Sequence, residues 1–468
     1  MHLPAPDPRP RVLHITQPVE GGVARVVTDL TRAQLAAGLR VSVACPASRL
    51  ADELRSLGAE VHHWGATRSP GPTLVREVRR LVRVVARVRP DLVHAHSAKA
   101  GLAGRLAVRG RVPTVFQPHA WSFEAVDGGM AALALRWERW GARWASRVVC
   151  VSEAERATGA RAGIAARWAV VPNGIDPGRF HPAAVDTVRA ALLPDADPAA
   201  LLVVCVGRLC RQKGQDVLLD AWHTVQDRVP EARLVLVGDG PDHDELRSRA
   251  SKSVDFAGAV PDAAPWYQAA DLVVLPSRWE GMALAPLEAM ACARPVVLTD
   301  VDGARESLPP ALRPARGPLK TPANRAPVST PGPPGSRSGH RSPATRTVSS
   351  GPDSAPGRPG PGASSRDPGA ASAAGRHGGP ASDSGSPAAV PRCLVPPGDP
   401  GELADAVSSL LLDPLLRESL GHLGRRHVLS THDVRHTAEA VADVYRDLLG
   451  GVSDAAAVPS EYRESIHS

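Results

Sequence analysis

The architecture is set by LLVVCVGRLCRQKG, residues 201–214, and AADLVVLPSRWEGMALAPLEAMA, residues 269–291. Each stretch contains a short, uninterrupted apolar run of the kind that forms a strand buried on both faces of a parallel sheet. A glycine-containing turn follows each run, and in the second stretch a helical segment follows the turn. Because ligands bind beyond the carboxyl ends of strands in open α/β sheets, we expect a binding cleft at these two turns.

Outside these stretches, apolar runs and amphipathic helical segments alternate along most of the chain. The predicted strands are residues 12–15, 41–43, 92–94, 148–151, 201–206, 234–237, 272–275 and 296–298. This alternation predicts an α/β fold with doubly wound parallel sheets. It stops at residues 181–200, which we interpret as a link between two domains. The predicted parts are domains at 11–185 and 200–430, a helix at 431–449 and a flexible tail at 450–468.

Residues 309–392 interrupt the second domain with a different composition. The segment includes 18 prolines and 13 glycines, and it contains no Phe, Trp, Tyr, Ile or Met. It cannot bury enough apolar surface to offset the entropy of ordering its backbone, so we predict a disordered insertion. Because loop-closure entropy grows only logarithmically with length, the segments on either side can still pair.

The net charge of +7 arises in this insertion, which carries +8, while the rest of the 468 residues carries −1. Nucleic-acid binding by the folded body is therefore not expected. No apolar run approaches the ~18 residues of a membrane-spanning helix. The six cysteines form no CxxC pair, and no apolar stretch precedes the first strand. We expect a cytoplasmic protein without a zinc site, a disulfide framework or a signal peptide.

The candidate binding residues lie in the two turns. Arg208 and Lys213 follow a buried strand, and an arginine fork and a lysine point charge both suit a diphosphate. Glu280 precedes the next helix and Glu288 lies more than one turn further on, so the two can meet different parts of one elongated ligand. The residue pattern alone leaves open a solvated loop, a carboxylate that pairs with the helix dipole and a surface charge.

The first predicted domain contributes a glycine turn and several histidines. Gly21-Gly22 follows the first strand and lets the backbone approach a phosphate. His119 follows the apolar run 112–116, where a strand should end at the cleft, and is a candidate catalytic residue. His94 and His96 alternate at another strand end, a pattern more typical of packing and hydrogen-bonding residues.

Together these segments resemble the retaining GT-B glycosyltransferases of family 4. The resemblance is carried by the Gly21-Gly22 loop, VHAHSAKAGLAGRLA (93–107), PHAWSF (118–123), VVCVSEAE (148–155), VVPNGID (170–176), VGRLCRQKG (206–214), LVGDGP (236–241), residues 269–291 and LVPPGDP (394–400). It covers nearly the whole chain except residues 1–10, the insertion and about the last 15 residues. The resemblance implies two Rossmann-like domains facing each other across a cleft, with the final helix crossing back onto the first domain.

The resemblance also implies a role for each candidate residue. Arg208 and Lys213 would neutralise the diphosphate of a UDP-, GDP- or ADP-sugar donor. Glu280 would contact the sugar hydroxyls, Glu288 would contact the ribose, and His119 would lie beside the reacting sugar. His119 and Glu280 are the candidate catalytic residues. The remaining donor contacts are expected at Gly22, Gly281, Met282 and Leu284.

The implied activity is hexosyl transfer to a sugar, polyol or lipid-linked hydroxyl, in cell-envelope, exopolysaccharide or glycolipid synthesis. Neither a metal nor a cofactor is expected, because the family generally needs none. No carboxylate is assigned as a nucleophile, so we favour attack on the face of the departing diphosphate, which accepts the proton. Ala120 and Ala293 stand where the family usually has glycine. If position 293 is left-handed, alanine costs about 1 kcal/mol relative to glycine.

The acceptor side is less specific. Lys99 and His96 are candidates for contact with an anionic acceptor, although a surface lysine and a packed histidine are the simpler interpretations. A basic face on residues 76–89 and tryptophans at 137, 140 and 144 could contact an anionic membrane from the cytoplasmic side, or could be solvated arginines and core side chains. Alternative functions are a GT-B epimerase, and a non-catalytic protein that binds partners through its basic insertion.

Overall fold

Two parallel β-sheets form the centre of the structure, one in each predicted half of the chain. The computed structural model describes residues 9–68, 71–194, 197, 199–314 and 392–450. The predicted insertion, apart from residues 309–314 and 392, and the predicted tail beyond residue 450 lie outside the described residues. Helices cover both faces of each sheet, as the alternating pattern predicts.

The first sheet has seven strands in the order β3-β2-β1-β4-β5-β6-β7, and every pair is parallel. The strands are β1 (Arg11–Thr16), β2 (Arg40–Cys45), β3 (Glu60–His63), β4 (Leu92–His96), β5 (Thr114–Gln117), β6 (Arg147–Cys150) and β7 (Trp168–Val170). The helices are α1 (Gly21–Ala36), α2 (Arg49–Ser56), α3 (Leu74–Val88), α4 (Ser97–Val108), α5 (Gly128–Gly141) and α6 (Glu153–Arg161). The pattern of apolar runs missed β3, because it holds only one apolar residue.

The second sheet has six parallel strands in the order β10-β9-β8-β11-β12-β13. The strands are β8 (Leu201–Val206), β9 (Ala232–Val237), β10 (Val254–Gly258), β11 (Leu272–Leu275), β12 (Val296–Thr299) and β13 (Leu394–Val395). The helices are α7 (Val185–Leu192), α8 (Gln215–Arg228), α9 (His243–Arg249), α10 (Ala264–Ala269), α11 (Leu284–Ala291), α12 (Asp302–Ser307), α13 (Pro400–Leu412), α14 (Pro414–Thr431) and α15 (Val434–Leu448). Short 3₁₀ turns occupy residues 122–124, 142–144, 211–213 and 310–312.

The strand order places the predicted turns together. The order reverses between β1 and β4 in the first sheet and between β8 and β11 in the second. Loops that leave adjacent strands at such a switch point run in opposite directions and open a crevice between them. The turns after β8 and β11 carry the predicted cations and carboxylates. In the first sheet Gly22 follows β1, His94 and His96 end β4, and His119 follows β5. The topology therefore builds both walls of one cleft.

The end of the chain ties the two halves together. β13, which follows the predicted insertion, pairs with β12 in the register Leu298↔Leu394, so the segments on either side of the insertion do pair. Asp433 forms an isolated bridge with Ile175, and α15 then packs on α1. Tyr445 on α15 is buried. The expected return of the last helix to the first half is found.

Candidate active site

The turns after β8 and β11 pack directly on each other. Gly214 is left-handed, with φ of 69°, and a Cβ there would lie 2.1 Å from the carbonyl oxygen of Pro276. The N–H of Arg278 donates to the carbonyl oxygen of Gln212 at 2.7 Å. Only glycine permits this approach, so the GRLCRQKG stretch can lie against the turn that carries Glu280.

Lys213 and Glu280 form an ion pair in this turn, with Nζ 2.5 Å from Oε1. The Glu280 side chain is 10% exposed and that of Lys213 is 22% exposed. Burial by itself would lower the pKa of Lys213, but attraction to Glu280 outweighs burial and raises it. Lys213 therefore carries its charge at neutral pH and can attract an anion at this point of the cleft.

Arg208 leaves the same strand and is exposed. Gln215 holds the start of its turn by donating from Nε2 to the Arg208 carbonyl oxygen at 3.0 Å. From the first half of the chain, Arg68 approaches this cation. Burial lowers the pKa of Arg68 and repulsion from Arg208 lowers it further. Two like charges close enough to repel each other suit a multivalent anion, and the sequence pattern did not single out Arg68.

Glu288 is buried on α11 and accepts a hydrogen bond from the Tyr267 hydroxyl at 2.7 Å on Oε2. Burial raises the pKa of Glu288 to about 7. The residue lines a small cavity of about 60 Å³ that Arg25, Asp29, Arg32 and Phe180 also line. Glu288 is therefore a pocket residue rather than a surface helix charge.

The turn before α11 touches the first half of the chain at two points. A Cβ on Gly22 would lie 3.7 Å from Cδ1 of Leu284, which places the glycine turn against the start of α11. A Cβ on Gly281 would lie 2.9 Å from Val151 and 3.1 Å from the carbonyl carbon of His119. The structure therefore brings together six predicted site residues: Gly22, His119, Lys213, Glu280, Gly281 and Leu284.

Hydrogen bonds reinforce this contact. Ser152 donates from Oγ to the carbonyl oxygen of Gly281 at 2.9 Å, and Asn173 donates from Nδ2 to that of Met282 at 2.8 Å. The Glu306 carboxylate accepts from the backbone N–H groups of Glu153 and Ala154 at the start of α6. These bonds hold the start of α11, and α12 with Glu306, against the first half of the chain.

The backbone at His119 is strained. His119 has φ of 58° and Ala120 has φ of 135°, both in the region that favours glycine. Trp121, the next residue, is buried and donates from Nε1 to the carbonyl oxygen of Glu155 at 2.8 Å, which helps to fix the turn. Non-glycine residues persist in such conformations where the surroundings impose them, and they concentrate at functional sites.

Glu155 is a site residue that the sequence reasoning did not single out. It is fully buried, its Oε2 accepts from the N–H of Val151 at 2.7 Å, and it also accepts from the N–H of Ala120. Burial raises its pKa to about 8. The SEAE pattern at 152–155 carries a signal for it, because a serine followed by a glutamate three residues later is typical of a helix start. Glu155 supports the strained turn at His119. It also lies next to Gly281, where an added Cβ would be 3.1 Å from its Oε1.

The two acceptor candidates are corrected by the structure. Lys99 is 3% exposed and forms a buried ion pair with Glu77, at 2.8 Å, between α4 and α3. His96 is fully buried, and its ring nitrogens lie against His14 and His119. Neither side chain faces a space that an acceptor could enter. The simpler interpretation of His96 as a packed histidine is the one that the structure shows, whereas the surface position expected for Lys99 is wrong.

Among the described residues, His14, His94 and His96 form the one histidine group whose ring nitrogens lie close enough to hold a metal ion, within 4.8 Å of one another. Nδ1 of His14 lies 2.9 Å from Nε2 of His96, which is a hydrogen-bond distance. The His94 and His96 rings stack, with centroids 4.0 Å apart, so their in-plane lone pairs do not converge on one point. The expectation of a metal-independent site stays a prediction.

Two family models match the two halves of the chain. Residues 20–179 match the family described as Glycosyltransferase Family 4, and residues 200–315 match Glycosyl transferases group 1. Alpha-maltose-1-phosphate synthase of Mycolicibacterium smegmatis is 31% identical over 300 residues, or 55% of this chain and 76% of that protein. The chain belongs to glycosyltransferase family 4.

Another relative is UDP-Gal:alpha-D-GlcNAc-diphosphoundecaprenol alpha-1,3-galactosyltransferase of Escherichia coli. It is 27% identical over 247 residues. The match covers 49% of this chain and 64% of that relative's length. The fold also matches the crystal structure of Anabaena HepE in complex with UDP and glucose. That match has a TM-score of 0.68 at 20% identity and covers 94% of this chain and 100% of HepE.

These matches confirm the predicted GT-B architecture of a family 4 glycosyltransferase. They give no support to the epimerase alternative. The interaction-protein alternative rests on residues 309–392, most of which lie outside the described residues. Among the described residues, no helix combines the length and the apolar character needed to cross a bilayer.

Proposed function

We propose that this chain transfers a hexosyl group from a nucleoside-diphosphate sugar to an acceptor hydroxyl with retention of the anomeric configuration. The observation that carries the proposal is the Lys213–Glu280 pair, because one cation and one carboxylate meet where a diphosphate and its sugar would be joined. His119 lies on the opposite wall, against Gly281. Family membership supports the transfer chemistry.

The donor to test first is a UDP-hexose. The E. coli relative is named for UDP-galactose, and HepE was crystallised with UDP and glucose. In this proposal Arg208 and Lys213 hold the diphosphate, and the ribose hydroxyls reach the buried carboxyl of Glu288. A hydroxyl pair suits Glu288 because the group is partly protonated near neutral pH and can both donate and accept.

The proposed step breaks the bond between the anomeric carbon and the distal phosphate oxygen, and both electrons leave with the phosphate. The acceptor oxygen forms the new bond on the same face, and its proton passes to the departing phosphate oxygen. Negative charge therefore grows on the diphosphate, where Lys213 and Arg208 would stabilise it. Glu280 faces the positive charge that develops on the sugar ring.

His119 acts in this proposal as a neutral hydrogen-bond partner. Burial lowers the pKa of His119 to about 3, so the imidazole carries no charge at neutral pH. A proton donor for catalysis near pH 7 needs a pKa close to that pH, which His119 does not have. We expect it to orient a sugar hydroxyl rather than to deliver a proton.

A lipid-linked acceptor fits the outer surface of the first half. The arginines of α3 are exposed at positions 76, 79, 80, 83 and 87, and α5 exposes Met130, Leu133 and Trp140. Helix α4 packs against both α3 and α5, so the basic and apolar residues share one side of the sheet. This combination suits an anionic membrane surface, to which arginines are attracted and into which apolar side chains insert.

The transfer proposal is tested by donor turnover. UDP-, GDP- and ADP-hexoses are screened for thermal stabilisation of the protein and for slow hydrolysis, and a product formed with an acceptor is examined by NMR for its anomeric configuration. We expect R208A and K213A each to lower turnover roughly 10²-fold. K252A, which removes an exposed lysine far from the cleft, is the matched control. Full turnover by the double variant, or an inverted product, contradicts the proposal.

Membrane contact is tested by cosedimentation with vesicles. We expect binding to phosphatidylglycerol-containing vesicles and not to pure phosphatidylcholine. Neutralising Arg79, Arg80 and Arg83 to glutamine should abolish it. The same change at three exposed arginines of the second half, Arg228, Arg233 and Arg247, is the control and should have no effect. Equal loss with both triple variants would show that net charge, rather than this surface, governs binding.

A further inference from the structure

A continuous chain of hydrogen-bonded side chains runs from the last helix to His119. Nε2 of His119 lies 3.2 Å from Nδ1 of His96, and Nε2 of His96 lies 2.9 Å from Nδ1 of His14. Nε2 of His14 lies 2.8 Å from Oε1 of Gln34, whose Nε2 lies 3.4 Å from the Tyr445 hydroxyl. His14 and His96 are fully shielded from solvent, and Gln34 is also buried. Water therefore cannot replace any of these bonds without disrupting the core.

With the Gln34 amide oriented as it is, the donor capacity of each group assigns the protons along the chain of hydrogen bonds. Oε1 of Gln34 can only accept, so Nε2 of His14 carries a proton and donates it. In a neutral imidazole the other nitrogen then accepts, so Nδ1 of His14 accepts from Nε2 of His96. The same rule makes Nδ1 of His96 accept from Nε2 of His119. His119 is thereby held with its proton on Nε2 and a lone pair on Nδ1.

This argument requires neutral rings, and the burial of the cluster supplies them. Burial lowers the pKa of His14 to about 4 and that of His119 to about 3. Burial also lowers the pKa values of His94 and His96 well below their usual range, and repulsion from neighbouring rings adds to the effect. A protonated ring would have two donors and would break the chain at that point.

Tyr445 sets the direction of the chain. Its oxygen accepts from the amide nitrogen of Gln34, which can only donate, and this leaves the hydroxyl proton for Nδ1 of His94 at 2.7 Å. That contact turns the amide oxygen of Gln34 toward His14. The reversed amide would reverse every following bond and place the proton of His119 on Nδ1. The orientation of the Gln34 amide thus decides which of the two tautomers His119 adopts.

We infer that Tyr445 is a positioning residue: through Gln34 and the buried histidines it holds His119 as the Nε2–H tautomer, whose Nδ1 accepts a hydrogen bond from a hydroxyl in the cleft. The catalytic part of the inference rests on the proposed function, since a sugar hydroxyl is the group that Nδ1 would orient. The structural part does not, because the tautomer exists without any ligand. The last helix thus contributes to the active site through the Tyr445 hydroxyl as well as through its packing.

The direct test is the tautomer of His119 in the full chain. Two-bond ¹H–¹⁵N correlation spectra of protein labelled at histidine distinguish Nε2–H from Nδ1–H imidazoles, and an H119Q variant assigns the signal. We expect a single Nε2–H tautomer in the wild type and a mixture in Y445F. Q34M, which removes both amide contacts with a side chain of similar length, should also give a mixture and provides a second route if Y445F folds poorly.

The matched control is V441A, which removes buried packing from the same helix without touching the chain of hydrogen bonds. It should lower the melting temperature and leave the tautomer unchanged. The inference is overturned if wild-type His119 is protonated on Nδ1, if Y445F and Q34M keep the wild-type tautomer, or if V441A alters it equally. A stoichiometric metal in the purified protein would also overturn it, because a ligated nitrogen cannot carry the proton.

A kinetic cycle tests the catalytic part with whichever nucleotide sugar the screen identifies. We expect Y445F to lower kcat roughly 10-fold with little change in KM, because a misoriented imidazole loses its contact in the reacting complex. In an H119A background the same change should have no further effect. Additive losses would assign Tyr445 a purely structural role. If no nucleotide sugar is turned over, the proposed function fails while the tautomer result still stands.

Discussion

Nζ of Lys213 lies 2.5 Å from Oε1 of Glu280, although 67 residues separate them along the chain. The resemblance to family 4 assigns the two groups to different parts of the donor, the diphosphate and the sugar. The structure shows that they also neutralise each other. In the proposed function, a bound diphosphate would compete with Glu280 for the charge of Lys213, and this competition would make the two roles of the pair separable.

E280Q should change transfer and nucleotide binding in opposite directions. The amide keeps the shape of the side chain but removes its charge, so Lys213 attracts an anion more strongly. We expect UDP, measured by calorimetry without any sugar, to bind roughly 1.4- to 5-fold more tightly, given the ~0.2–1 kcal/mol typical of partly exposed ion pairs. Hexosyl transfer should fall roughly 10²-fold, since the carboxylate no longer faces the reacting sugar.

D216N is the control for this variant, because it removes a carboxylate from a neighbouring ion pair, with Arg278, outside the proposed sugar site. Weaker UDP binding by E280Q than by the wild type would contradict the competition.

G281A should lower transfer without unfolding the protein. A Cβ at this position would lie 2.9 Å from Val151 and 3.1 Å from the carbonyl carbon of His119, so the walls of the cleft must move apart. We expect turnover to fall roughly 10-fold, because small misplacements of the reacting groups are costly. G129A is the matched control, since no atom lies within 4 Å of the Cβ it would add. Unchanged turnover in G281A would mean that this contact is not formed during the reaction.

A293G should stabilise the fold. Ala293 follows α11 with φ of 57°, the left-handed conformation that the usual glycine would adopt without strain. Relief of the strain predicts a gain of about 1 kcal/mol in the free energy of unfolding, measured by urea denaturation. The control is A86G, the same substitution in the middle of the exposed helix α3, which should lower the free energy of unfolding by about 1 kcal/mol. A loss with A293G would show that the gain in unfolded-chain entropy outweighs the strain.

Glu155 should make the stability pH-dependent. Burial raises its pKa to about 8, from 4.5 in an exposed glutamate, so the folded state binds the proton more tightly than the unfolded chain does. The protonated carboxyl therefore stabilises the fold fully below about pH 4.5, and this stabilisation is lost as the pH rises to about 8. Between these two pH values the free energy of unfolding of the wild type should fall, relative to E155Q, by up to about 1.4 kcal/mol per pH unit.

The measurement for Glu155 is a series of urea unfolding curves from pH 5 to 9. E231Q, at an exposed glutamate, should follow the wild type over the whole range. Parallel curves for E155Q and the wild type would show that Glu155 ionises in the folded protein as it does in solution.

Local patterns in the chain were sufficient for the architecture and for half of the site. Each of the eight predicted strands is found, because a short apolar run between polar segments is a signal within about ten residues. Arg208, Lys213, Glu280 and Glu288 could be selected for the same reason, since each follows a strand whose carboxyl end must face the cleft. The left-handed backbone at Ala293 was also inferable from its place after a helix.

Side-chain surroundings could not be inferred in this way, because they are made by segments distant in the chain. Lys99 and Lys213 are both lysines that follow a strand, yet packing of α3 on α4 buries Lys99 against Glu77 while the turn after β11 brings Glu280 to Lys213. Tyr445 meets His94 across 351 residues, and no periodicity records that contact. Protonation, pairing and tautomer depend on how completely such segments exclude water, and only the packed chain establishes that.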